Sequence, residues 1–127
     1  MSEELRQKGY LHHGKATGQP VGPYEGFNLG ATTLDQLRQF HIIPDRSYGR
    51  FGKRKPDGIV VDRRGDQPVV KFVAEFKDVG GLDSPQRTFD FSEKVVDEYC
   101  RPLGCEIGGI SDSIRNAWLL VTPNNWR

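Results

Sequence analysis

Cysteine is scarce: Cys100 and Cys105 are the only two in 127 residues, and with no second pair beside them a disulfide framework or a cysteine-based zinc site is excluded. Reduced thiols in a cytosolic protein are the expectation. Long apolar runs are missing as well. No stretch approaches the ~18 residues of a membrane span, and the opening MSEELRQKGYL lacks the apolar centre of a secretory signal. A cytoplasmic protein with no membrane partner follows. Nor is there an excess of one charge, since 18 Lys and Arg against 17 Asp and Glu leave a formal +1. A nucleic-acid partner therefore has to be met by a local patch, because the global field is nearly neutral.

What is present suffices for one domain with a single core, at 127 residues and 35% hydrophobic side chains, and is too short for two ordinary ones. Composition divides it into an N-terminal part, residues 1–44, of helices and a glycine- and proline-rich loop, and a remainder, 45–127, that carries the chemistry. Ser2 is placed to cap a short helix ending at Gly9, with Glu3 and Glu4 in its first turn. From His12 to Gly30 glycine and proline are dense and neither period is present, which predicts an irregular loop. His12 and His13 are adjacent, point in different directions and lack the i, i+4 relation of helical metal ligands, so they are read as loop residues. Thr33 and Gln36 have capping-box spacing, and Leu34, Leu37 and Phe40 form an apolar stripe, so a second helix is expected up to Pro44.

Asp45 to Lys55 reads DRSYGRFGKRK. Its cations, with Tyr48 and Phe51 interleaved, suit phosphate contacts, and Arg50, Lys53, Arg54 and Lys55 are the candidate nucleic-acid-binding residues. The plainer alternative is a solvated edge kept soluble by its charges. Gly58 to Asp62 is β-branched and reads as a strand, Arg63 to Asp66 has turn chemistry, and Val69 to Lys77 resumes as a longer strand. In an antiparallel hairpin folded about Gly65 and Asp66, positions summing to roughly 132 lie opposite one another, which brings Asp57 beside Glu75. Alternation puts Val70, Phe72, Ala74 and Phe76 on one face and Lys71, Val73, Glu75 and Lys77 on the other. Two neighbouring carboxylates are poorly tolerated without a cation between them, and oxygen ligands of this kind suit magnesium. Lys77 beside such an ion can hold or help deprotonate a water, and the chemistry implied is phosphodiester hydrolysis. The alternative is that Asp57 caps a turn after Pro56 while Glu75 and Lys77 form the polar face of an exposed strand.

Pro56-Asp57, the hairpin and VAEFK resemble the core of the PD-(D/E)xK nuclease superfamily over roughly residues 55–121. Within it the chain is most similar to the nuclease domain at the N-terminus of type I restriction enzyme R subunits, which shows a kPDgiv strand, a turn, a strand ending in Glu-x-Lys, a helix with Gln-x-x-x-Tyr and a closing strand. The resemblance implies an α/β fold with a restriction-endonuclease-like core, a small mixed β-sheet flanked by helices. It implies a metal-dependent endonuclease acting on DNA, with Asp57, Glu75 and Lys77 catalytic and Asp57, Glu75 and the peptide carbonyl of Phe76 holding Mg2+, for which Mn2+ can substitute. An acid on a first helix often completes such a site, and Glu4, or else Glu3 or Glu25, is available. The partners implied are DNA and, in a larger assembly, a helicase or translocase, or a methyltransferase with specificity modules; the chain would then be a domain separated from a larger protein.

Downstream, FSEKVVDEYCRPLG predicts a helix with Ser92 near its start and Val95, Val96, Tyr99, Cys100 and Leu103 on one face, covering the apolar side of the hairpin. Tyr99 falls where the motif has its tyrosine, but Val95 stands four residues earlier in place of glutamine, with Gln86 as a substitute in the preceding loop. The closing segment predicts a short strand, a polar turn and a strand from Ala117 to Val121. A nuclease-like fold that binds nucleic acid or a partner without cutting is the competing expectation, and an interaction domain with solvent-facing acids is a third.

Overall fold

The computed structural model describes residues 18–127; the predicted first helix, Glu3, Glu4, His12 and His13 lie outside the described residues. Six strands form one sheet in the order β1 to β6. They are β1 (Gln19–Val21), β2 (Tyr24–Asn28), β3 (Gly58–Asp62), β4 (Val69–Phe76), β5 (Ile107–Ser111) and β6 (Asn116–Leu120). Every neighbouring pair is antiparallel except β4 and β5, which run parallel. A parallel pair needs a crossover, and the helical segment between them supplies it. The fold is therefore a mixed α/β one with a six-stranded sheet and few helices. Among the described residues no helix is long and apolar enough to cross a membrane.

The irregular loop expected up to Gly30 is instead an edge hairpin. Val21 pairs with Tyr24 across Gly22-Pro23, and Gly22 has φ +58°. Positive φ at the first of two central residues is a primed hairpin turn that glycine enters without strain. Helix α1 (Leu34–Gln39) starts as its sequence predicts: the Thr33 hydroxyl accepts from the Gln36 amide and the Gln36 side chain accepts from the Thr33 amide. It ends at Gln39, before Pro44, because His41 is in a left-handed conformation, φ 58°.

Helix α2 (Pro85–Val95) begins well before Ser92, with Ser84 accepting from the Arg87 amide and Pro85 in the first turn. Gln86 is thus helical and not in a loop, and its side chain donates to Asp90. The helix runs into a π-turn over Val96–Cys100 and a last turn, α3 (Arg101–Leu103). Pro102 has no N–H for the carbonyl of Glu98, and its ring crowds that carbonyl; the wider turn, closed by the Arg101 amide on the Val96 carbonyl, relieves both. Gly104, φ 68°, then ends the helix: its amide donates to Arg101 (3.1 Å) and that of Cys105 to Cys100 (2.8 Å). This is a Schellman ending, and it buries both thiols, which are free.

The core lies on one side of the sheet. Phe27, Ile59, Val61, Val70, Val73, Ile110 and Leu119 meet Leu34, Leu37, Val95, Val96 and Leu103 from the helices. The expected alternation along β4 fails at one place. The β3–β4 register shifts between Val60 and Val61, so that Val60 faces Phe72 while Val61 faces Val70. Lys71 is the extra residue of a bulge, which reverses the alternation beyond it. Val70 therefore joins Val73 in the core, while Phe72, Ala74 and Phe76 occupy the other face. The helix covers the side carrying Val73 and Glu75, not the apolar face that the sequence assigned to it. On the uncovered face Phe76, Trp118 and Leu120 are exposed, and the Phe72 and Trp118 rings meet at 5.6 Å.

One-sided burial predicts unequal costs of truncation. Ile59→Ala, on the covered face, should lose about 3 kcal/mol in denaturant unfolding, and Leu120→Ala, on the uncovered one, less than about 1 kcal/mol.

Candidate functional site

Pro56 is fully buried and Asp57 follows it directly into β3. From Gly58↔Ala74 to Val60↔Phe72 the paired numbers sum to 132, the register expected from the turn, and one step further stand Asp57 and Glu75. Here side chains extend the ladder. The Asp57 amide donates to Glu75 Oε2 at 2.8 Å, and the Phe76 amide donates to Asp57 Oδ2 at 2.8 Å. Each acid thus closes the other strand's end. Glu75 is one of few buried charged groups, 7% exposed.

Burial raises the Glu75 pKa to about 8; the hydrogen bond and charge of the Asp57 carboxyl push it the same way, while the Asp57 amide and the Tyr99 hydroxyl oppose them. Glu75 therefore favours its protonated form at neutral pH. Tyr99 is delivered from the π-turn. Its hydroxyl donates to the Lys55 carbonyl at 3.2 Å and lies against Glu75, and its own pKa is driven upward by burial and then by the Glu75 charge. The aromatic is both core and site: it fixes the segment before Pro56 against the helix. Only its place in the helix hinted at this.

Lys77 continues the alternation of Val73 and Glu75 on the helix-covered side, and its amide extends the parallel pairing by donating to Ser111 at 2.8 Å. Its ammonium lies over the Phe91 ring of α2, 4.8 Å from the centroid. Asp57 and Glu75 are thus brought together as expected, whereas Lys77 shares their side but leans toward the helix. Glu25 does not complete the set. It pairs with Val61 near the far end of β3 and its carboxylate is engaged by the Gly18 amide and Arg63. Asp112, also buried, is consumed by the amides of Leu82, Ile114 and Arg115, which hold its carboxyl below the usual range.

Among the described residues no group of three or more His, Cys, Asp or Glu converges. A cation here would have two carboxylates, the Phe76 carbonyl and water. That donor set is hard and oxygen-only, and it fits magnesium, which dehydrates reluctantly and is held by one or two carboxylates. Buried Glu75 and half-buried Asp57, repelling one another, supply the need for positive charge.

The basic strip is less free than its sequence implies. Arg46 donates to the Pro102 carbonyl at 2.7 Å, a helix-end contact, and Arg54 pairs with Glu98 at 2.8 Å. Arg50 lies over Phe51, 4.8 Å from its centroid, while Lys53 and Lys55 are exposed. Compared with protein-family models, curated proteins and solved structures, the chain matches none.

The raised Glu75 pKa fixes the sign of a pH effect. The folded state keeps this proton up to about 8, whereas the unfolded chain releases it near the ordinary glutamate value of 4.5, so between those limits the folded state binds more protons and stability falls as pH rises. In chelator the protein should lose on the order of a few kcal/mol from pH 5 to pH 8. Glu75→Gln should flatten that slope in denaturant titrations.

Proposed function

We propose that the protein is a divalent-metal-dependent nuclease domain of the restriction type, hydrolysing phosphodiester bonds in DNA. The observation that carries the reading is the convergence, at one end of the β3–β4 hairpin, of Asp57 and Glu75, with Lys77 following on the same side of the sheet. The order of elements supports it too, since the hairpin is followed by a helix and then by a further strand, the order that the resemblance to PD-(D/E)xK nucleases implies.

The chain's residues divide the work. Asp57, Glu75 and the Phe76 carbonyl would hold the cation. When bound, magnesium neutralises charge developing on a phosphodiester and acidifies a water. The Lys77 ammonium lies over Phe91, and it would have to swing from that ring toward the acids to position the attacking water against the phosphate. Tyr99, its hydroxyl held by the Lys55 carbonyl, lies against Glu75 and helps keep it oriented. Burial of Glu75 excludes bulk water from one side of the site and strengthens these charges.

A second reading has its own observation. Asp57 Oδ2 and Glu75 Oε2 already accept strand-end amides, so the acids also serve as a closure of the hairpin, and a nuclease-like fold that binds without cutting needs nothing more. Calorimetry separates the two: a magnesium or manganese site abolished by Asp57→Asn favours the nuclease, and no heat of binding favours the closure.

Lys77→Ala should lower magnesium-dependent cleavage of DNA by at least about 10²-fold, with an unfolding midpoint within about 0.5 kcal/mol of the parent. Undiminished cutting by this variant would remove Lys77 from the mechanism.

A further inference from the structure

Two cavities flank helix α2, and they differ in charge. One, of about 400 Å³, is lined by Lys77, Gly81, Arg87, Asp90, Phe91 and Lys94, three cations against one acid. The other, of about 460 Å³, lies toward the basic strip and sets Arg50, Arg54 and Lys94 against Asp90, Glu93, Asp97 and Glu98, so acids outnumber cations there. The strip that reads as a phosphate track in sequence faces an acidic helix in space.

We infer that a polynucleotide strand is held in the first cavity, with Arg87 and Lys94 of α2 gripping the phosphates that flank the one presented to Lys77. This rests on the nuclease reading for the role of Lys77 but assigns a binding surface that the reading does not contain. Arg87 and Lys94 are seven residues apart, two helical turns or about 10 Å, and so project from the same side of α2 at a separation that two alternate phosphates of one strand can span. Phe91, midway between them, turns its ring to the Lys77 ammonium and gives the lane an aromatic floor, a surface on which sugars or bases pack. Lys94 has no ion-pair partner among the described residues, and Arg87 has only an exposed one, Asp83 at 3.3 Å, which a phosphate displaces at little cost. Asp90 accepts from Gln86 (2.7 Å) and forms no ion pair with Arg87 or Lys94 among the described residues. In the other cavity Arg54 is already paired with Glu98, and a polyanion would meet the row of carboxylates.

The test is fluorescence anisotropy with a ten-nucleotide single-stranded DNA in chelator, where metal-dependent cleavage cannot intervene. Each cation that neutralises a phosphate on single strands contributes about 0.7 to the slope of log affinity against log salt. Wild type should show a slope near −2, Arg87→Gln and Lys94→Gln should each reduce its magnitude by about 0.7, and the double variant should bind about tenfold more weakly at 0.1 M salt. Arg64→Gln, in the turn at the opposite end of the hairpin, should match wild type, and circular dichroism should be unchanged throughout. The inference is overturned if wild type does not bind, if the double variant binds as wild type does, or if the loss follows Arg50→Gln with Arg54→Gln instead. Expected binding with no cleavage under any divalent ion would leave this surface standing and sink the nuclease reading.

Discussion

The structure turns on two reciprocal hydrogen bonds at the mouth of one hairpin, where Asp57 and Glu75 each accept an amide of the opposing strand segment. Strand ends leave amides without ladder partners, and a buried orphan donor is costly. Carboxylates answer that need with charge-assisted bonds, but placing two of them together under a helix creates a repulsion that a proton or a cation has to absorb. Local closure and a potential for metal chemistry are thus one arrangement seen from two sides.

The surroundings follow from holding that pair in place. Pro56 and the β3 strand fix Asp57, the β4 register fixes Glu75, and the π-turn opened by Pro102 brings Tyr99 across to Glu75 and to the Lys55 carbonyl. Because β4 and β5 run parallel, the crossing helix lies over the strand end that carries Glu75 and Lys77. Its residues therefore border the same space, and the helix surface beside Lys77 is cationic where the surface beside Arg54 is acidic.

Much of this was legible in the chain and some was not. The pairing of Asp57 with Glu75 follows from turn chemistry and a simple sum of positions, and the Thr33 capping box is read directly from its spacing. The bulge at Lys71 leaves no compositional trace, since a lysine is equally at home on an ordinary exposed strand position, and it moves Val70 from the face of Phe72 and Phe76 to that of Val73, the face the helix covers. The β1–β2 hairpin was hidden by the density of glycine and proline around it, although Val-Gly-Pro-Tyr carries a two-residue turn signal. Ser84-Pro85 is likewise a readable helix start, although the apolar stripe that marks the helix becomes dense only after Ser92. The engagement of Arg46 with Pro102 and of Arg54 with Glu98 joins residues more than forty positions apart, and no local pattern of charges distinguishes a cation spent on the fold from one left for a ligand.

The central claim is that Asp57 and Glu75 form a seat for a hard cation as well as a closure of the hairpin. Anomalous diffraction from crystals soaked in manganese tests it most directly. The account predicts a single strong peak within coordination distance of one oxygen from each carboxylate and of the Phe76 carbonyl. A map with no peak there, and with both carboxylates still bound only to the strand-end amides, would contradict it.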